Sequence, residues 1–512
     1  MTKTMKTTRI FWTMAIGLTL LGPGLDPVWS APEVKTGFAE RDISPEIGME
    51  RPGGYGKAFH KAFHDACKAR AAVFDSGENA VAIVGLDALI LREPQVAEAR
   101  KRIAEKTGLA PEAILIGASH SHSSGPTGMV LPGEFDHADA DIRDLAYEQS
   151  SMADPKYLET VVGGIAGAAI EAYEKRAELR LSFGRGEEGG VSFNRRWRMK
   201  NGLTFTHPRF GNPDMVEPAG PIDPEVGVIG AWDTEGKLAG CVVNFACHAT
   251  TSPPGISANY PWAIEKIVRS CFGDDVVMVF VNGASGDVTQ VDNTSPTIRA
   301  PGEAAALMVG GAVGAEAVKV LLAAEARTDA ATVDFRREVL KIDRRAPSPE
   351  RLARSRELVK SKPADAAAIA DWIWAKEIVM LDAASRREPV REVEVQAVQV
   401  GPAVFVTTPA EYFTQFGLEQ KKAIGFPFVF PVSLANGCVG YVPTEEALGP
   451  HGGGYETRLT FYSNLQPKAG SILRDKGIEL GNSLKPDAVP GLRPAPPFKG
   501  GWDYGSTPPE LE

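Results

Sequence analysis

Apolar residues fall along the chain in short runs that alternate with helical spacings. Residues 78–90, GENAVAIVGLDAL, open on a turn and continue as a nearly unbroken apolar run, as a strand buried on both faces does. In PQVAEARKRIAEKTG, Val96, Ala97, Ile103 and Ala104 recur near helical spacing and Gly108 suits the stop, so a helix is expected. AILIGASHSHSSGP then reads as a short strand running into a polar loop, and residues 154–175 as a helix opened by Asp154-Pro155. VGVIGAWDTEGKLAGCVVNFACHA predicts two strands around an Asp-Thr-Glu-Gly turn. AIEKIVRSCFG predicts a helix and VVMVFVNGASGD a strand ending in a glycine-rich loop.

Residues 302–325 read as an Ala/Gly-rich helix. Residues 336–390 are richer in charge, with helical runs around 349–360 and 364–384, and are expected to form a helical connector or insertion. Period-2 alternation over 393–411 marks a hairpin turning at Gly401-Pro402. A helix over Glu419–Ile424 and a strand within FVFPVSLANGCVGYVPT follow. No internal repeat is visible. The fold class expected is α/β, with mixed sheets flanked by helices and the polar, chemically capable residues just after strands, where open α/β sheets put ligands.

The ends change the picture. Lys3, Lys6 and Arg9 precede an apolar run over Ile10–Leu21, broken by Pro23, Gly24 and Pro27, with Ser30-Ala31 suited to cleavage. Residues 1–30 therefore read as a secretory signal, the run being shorter than the ~20 residues of a membrane span. No later segment reads as long and apolar enough to span a bilayer, and the mature protein is expected to be secreted, periplasmic or in the cell envelope. Residues 484–512 form a Pro/Gly-rich tail. The 512 residues carry a net charge of −10, which argues against a nucleic-acid partner. The five cysteines show no CxxC spacing and read as small buried hydrophobes.

Candidate chemistry rests on few residues. His120 and His122, in SHSHS, point to the same face of an extended backbone, and neutral imidazole is a common metal ligand. His248 ends the apolar run CVVNFACHATTS, and Glu411 follows VFVTTPA in the same manner. Glu411 suits a ligand, a general base or a helix first-turn residue favoured by the dipole, and residue type leaves these open. Two histidines and a carboxylate make a set that a catalytic zinc uses, with a position left for water. There is no HExxH; the ligands would come from distant loops.

These blocks, in order, resemble the neutral/alkaline (non-lysosomal) ceramidase family. The resemblance is carried by Ala118–Ser123 with Gly125-Pro126, by Phe193-Asn194-Arg195, and by Asn244–Thr250. It continues through Gly286–Thr289, Pro409–Thr414, and Gly440–Glu446 followed by Gly454-Tyr455-Glu456. It implies a catalytic unit over 31–483 that hydrolyses an N-acyl amide, such as a ceramide-like lipid, by zinc-activated water. It implies Zn2+ held by His120, His248, Glu411 and Tyr441, with His122 moving protons and Arg195 and Tyr455 holding the scissile carbonyl. Tyr441 and Tyr455 enter through the resemblance alone. Tyr55, in the Arg51–Tyr55 loop, and Thr289 would line the substrate pocket. Thr289 stands where the family has a serine, and Gln290 where it has a proline, which favours water over a covalent acyl-enzyme. Ser285 reads as a turn residue, His64 as structural, and His137, His207 and His451 as surface residues. The family continues into an immunoglobulin-like domain; a Pro-rich tail is expected here instead. The alternatives are a metal-dependent esterase or N-acyl-amino-acid or peptide amidase on the same site, or a non-catalytic envelope binding protein.

Overall fold

Three larger mixed sheets organise the chain, and each grows from the same sequence of elements. The computed structural model describes residues 32–298, 301–492, 495–497 and 508–512. The expected leader and part of the Pro/Gly-rich tail, residues 493–494 and 498–507, lie outside them. In the first sheet the strands Lys68–Asp75 and Ala80–Leu86 form an antiparallel hairpin. A helix, Glu93–Thr107, then crosses over to Ile114–Ala118, which lies parallel to Ala80–Leu86. In the second sheet the hairpin Glu225–Trp232 and Leu238–Phe245 is followed by the helix Tyr260–Phe272 and the parallel strand Val277–Asn282. In the third, Val390–Val400 and Ala403–Thr408 are followed by the helix Thr414–Ala423 and the parallel strand Phe428–Ser433. The chain thus repeats a topology without repeating a sequence.

Sequence pattern explains the core of this arrangement. The central strands are apolar on both faces because one face meets helices and the other meets a neighbouring sheet. Ile83 and Leu115 of the first sheet, Val242 and Val279 of the second, and Phe405 and Phe430 of the third join one buried cluster. Each such side chain contributes about 1.5–3 kcal/mol relative to exposure. Charged clamps fix how the sheets meet. Arg70, 1% exposed, donates to Asp87 at 2.6 Å and to Glu265 at 2.5 Å, tying the first sheet to the crossover helix of the second. Arg100 forms a two-pronged pair with Glu394 at 2.8 and 3.0 Å, tying the first crossover helix to the third sheet.

Two expectations are corrected. Residues 336–343, expected within the helical connector, are strand: Val333–Asp343 pairs along its whole length with Val390–Val400. Its charge-rich sequence masks the alternation because one face is solvated and Arg337 pairs with Glu394 across the ladder. Helices Pro349–Leu358 and Ala366–Arg387 occupy the remainder of that stretch. The second correction concerns membrane spans. Glu303–Ala323 is long and apolar enough to cross a bilayer, by length and composition. It packs instead against Tyr260–Phe272, where a Cβ at Gly310 would lie 2.1 Å from the Tyr260 carbonyl oxygen. Its high Ala/Gly content is the requirement of this close approach, and over half of its apolar window is buried. Cys67, Cys241, Cys247 and Cys438 are buried free thiols, as expected, while Cys271 is exposed.

Candidate active site and metal centre

The repeated topology places loops from all three sheets at one point, the carboxyl ends of the parallel strands. His120 and His122 follow the strand Ile114–Ala118 in the first sheet, and His248 follows Leu238–Phe245 in the second. Glu411 follows Ala403–Thr408 in the third. It opens a two-residue strand, Glu411–Tyr412, that pairs in parallel with Tyr441–Val442 in the register Glu411↔Tyr441. The four residues read as ligands from sequence and resemblance are thereby brought to one region, with His122 among them.

Each histidine is aimed by a carbonyl from a neighbouring loop. His120 Nδ1 donates to the Leu89 carbonyl at 2.9 Å, and His248 Nδ1 to the Ser285 carbonyl at 2.7 Å. A ring that donates from Nδ1 keeps its Nε2 lone pair for a cation. Both Nε2 atoms face the same oxygen: Glu411 Oε2 lies 3.2 Å from His120 Nε2 and 3.0 Å from His248 Nε2. His120 is held at φ 65°, a left-handed conformation rare outside glycine, and such strain gathers at functional sites. His122 Nε2 lies 3.2 Å from His120 Nε2.

This convergence tests whether a metal fits. Among the described residues, His248 Nε2 and Glu411 Oε2 are buried and have no hydrogen-bond partner, because each presents a lone pair to another lone pair. Burying such groups unpaired is costly, and a shared cation removes the cost. The nitrogens of His120, His122 and His248 lie within 4.8 Å of one another. The group can bind a metal, and its nitrogen and oxygen donors suit a divalent ion. Burial pushes the Glu411 carboxyl up, but His120 and His248 outweigh it and hold the group well below the usual range. Burial first, and then Arg195, lower His248 to about 3. Burial, followed by His120 and His248, also keeps His122 well below the ordinary imidazole range.

Arg195 lies beside this cluster, 2% exposed. It donates from Nε to Glu456 at 2.8 Å, and from Nη2 to the Gly286 carbonyl at 2.7 Å and the Tyr441 hydroxyl at 3.1 Å. Glu456 also accepts from Thr206 at 2.6 Å. The Arg195 guanidinium is 5.2 Å from the Tyr455 ring, which meets Tyr441 edge-on at 5.8 Å. Burial first, then Glu456 against the opposing Arg195, keeps the Tyr455 phenol protonated well above its ordinary value. Thr289, 2% exposed, donates to Gln290 at 2.8 Å, and its strand pairs with Phe193-Asn194 next to Arg195. Tyr55 stacks edge-on against Trp374 at 5.1 Å.

Several contributors carried no legible role. A Cβ on Gly53, at φ 104°, would lie 2.2 Å from His122 Nδ1, so this glycine lets the early loop close on the ring. Glu456 stood in a matched block, but only the fold pairs it with Arg195. The Leu89 and Ser285 carbonyls leave no trace in residue type. The Ser285 hydroxyl turns to Asn282 at 3.5 Å. His64 bonds Asp65 at 2.6 Å, and Asp65 accepts from the Ala258 amide at 2.8 Å, a role in holding loops together. His137, His207 and His451 are exposed and lie outside the cluster, as read from the sequence.

No family model matches the chain. Neutral ceramidase from Pseudomonas aeruginosa is 26% identical over 193 residues, 36% of this chain and 25% of the relative. The match thus spans about a quarter of that curated relative's length. The crystal structure of neutral ceramidase from the same organism superposes with a TM-score of 0.65 at 19% identity, covering 90% of this chain and 76% of that one. A ceramidase complexed with C2 superposes with a TM-score of 0.64 at 18% identity, covering 91% and 77%. These findings bear out the resemblance read from the sequence: the chain has the fold of these enzymes.

Proposed function

We infer that this chain, built on the neutral ceramidase fold, is a zinc-dependent amidohydrolase that cleaves an N-acyl amide of the ceramide type. The observation that carries the reading is the convergence of two imidazole lone pairs on one carboxylate oxygen in a buried cluster. His120, His248, Glu411 and Tyr441 would hold the ion. When bound there, zinc supplies Lewis-acid polarisation of a carbonyl and acidifies water. His122, kept neutral in this environment, takes a proton from the attacking water and returns it to the departing amine nitrogen. Arg195, its charge fixed in place by Glu456, and the protonated Tyr455 hydroxyl hold the carbonyl oxygen as charge develops on it. Thr289 and Tyr55 wall the pocket.

Metal analysis together with hydrolysis of an N-acylsphingosine tests this reading. Purified protein is expected to carry close to one zinc per chain, to lose hydrolysis on chelation and to regain it with zinc. Metal-free protein that hydrolyses the amide undiminished would sink the proposal. Residues 1–30 are read as an export signal; N-terminal sequencing of the mature protein, expected to begin near residue 31, checks this.

A further inference from the structure

Beyond the buried cluster lies an open groove of about 970 Å³ whose wall includes Tyr455. The same Tyr455 ring faces Arg195 and Tyr441, so the groove starts where the buried centre ends. Four arginines line it, Arg209, Arg345, Arg351 and Arg458, and no Asp or Glu is among its described lining residues. None of the four has a carboxylate partner among the described residues. Arg70, Arg100 and Arg195, by contrast, are each matched to acids.

The groove is also built rather than incidental. Arg345 is oriented by the Leu465 carbonyl at 2.9 Å and the Ser463 carbonyl at 3.2 Å. Arg458 lies over the Trp374 ring at 4.7 Å, and Trp374 contacts Tyr55 in turn. Burial first, then Arg351, lowers Arg345; burial, then Arg458 and Arg354, lowers Arg351. The guanidiniums repel one another, and an anion among them relieves that repulsion. An aliphatic chain does not, since it would leave the cations both desolvated and unpaired.

We propose that this groove binds an anionic group, a carboxylate, phosphate or sulfate, carried on the amine side of the N-acyl amide substrate. The inference rests on the amide-hydrolase reading and sharpens its substrate class. With the scissile carbonyl at Arg195 and Tyr455, the groove receives whichever part of the substrate extends past Tyr455, and its charge selects the polar amine moiety over the acyl chain. Arginine suits this because its planar donors match oxyanions in pairs.

The test compares N-dodecanoylglycine with N-dodecanoylethanolamine, which differ in a carboxylate against a hydroxymethyl group. For the zinc-loaded protein, kcat/KM for the glycine amide is expected to exceed that for the ethanolamide by about tenfold or more. The R351E/R458E double variant, whose side chains make no described hydrogen bond, is expected to lower that ratio by about tenfold or more. R351K/R458K should restore part of it. A ratio near one in the parent, or a ratio unmoved by charge reversal, overturns the proposal. The hydrolase reading stands or falls on N-acylsphingosine hydrolysis; if neither of these two amides turns over, calorimetric titration of the two amides still decides the groove. Tighter binding of the glycine amide that reversal abolishes supports it, and equal binding overturns it. Loss of sedimentation with phosphatidylglycerol vesicles, with the amide ratio unmoved, would make the groove a membrane dock and also overturn it.

Discussion

The two histidine-bearing sheets and the carboxylate-bearing sheet reach the same point by different means. His120 and His248 project from irregular loops, and each ring is aimed by a carbonyl borrowed from another loop of its own sheet. Glu411 and Tyr441 need no such partner, because their backbones pair with each other and set both side chains by register. An imidazole has a direction that two torsions must fix, and an external acceptor fixes it. A carboxylate oxygen is less demanding and can be placed by backbone geometry. The third arm therefore supplies the charge, while the first two supply the aim.

Removing the charge should break the centre most completely. Glu411→Gln keeps the shape but replaces a buried anion with an amide facing two imidazole nitrogens. Zinc content is expected to fall to background, and kcat/KM for an N-acyl amide by about 10³-fold or more. Retention of metal by this variant would mean that the histidines alone hold it.

The clamp between the two histidine arms comes next. Arg70→Ala leaves Asp87 buried without its cation and Glu265 with Lys68 and Arg269 alone, and a loss of about 3–5 kcal/mol in unfolding free energy is expected from denaturant titration. The same clamp gives an acid limb to stability. Burial raises the Glu265 carboxyl, but Arg70 and Lys68 outweigh it and bring it down to about 2. A depressed carboxylate stabilises the fold above its unfolded value of 4.5, and this contribution is lost as pH falls toward 2. Glu265→Gln should flatten that limb in a Tm-against-pH series; an unchanged slope would assign the loss to other carboxylates.

The aim of His122 is the most selective target. Gly53→Ala drives a methyl group into the imidazole from a backbone at φ 104°. A kcat loss of about 10²-fold is expected with zinc retained, the magnitude of a displaced proton carrier. If metal and kcat fall together, His122 is a ligand in the manner of His120 and His248.

The elements that build these arms were largely legible, because a strand buried on both faces leaves an apolar run and a crossover helix leaves a 3.6-residue period. His120, His248 and Glu411 were legible by position, each just beyond such a run. Tyr441 was not: a tyrosine beside a turn resembles any structural aromatic, and only likeness to a family pointed to it. The strand Val333–Asp343 was hidden because a solvated edge strand tolerates charge at positions where a helix does too. Carbonyl partners and the contact between Gly53 and His122 were invisible in principle, since the backbone has no residue type and close approach appears only after folding. The threefold recurrence of hairpin, helix and strand was invisible for a related reason: topology can recur while the side chains that fill it diverge.

The spread of the donor residues has a consequence for when the centre comes into being. Its groups sit at positions 120, 248, 411 and 441, one sheet after another. During synthesis from the N-terminus, the first histidine pair appears first and the last oxygen donor more than 300 residues later. No partial product holds the full cluster, so an ion that needs all the donors is captured last. On the proposed reading, loading would then be a checkpoint on completed assembly, and the surroundings in which the fold is finished would decide which metal is available to it.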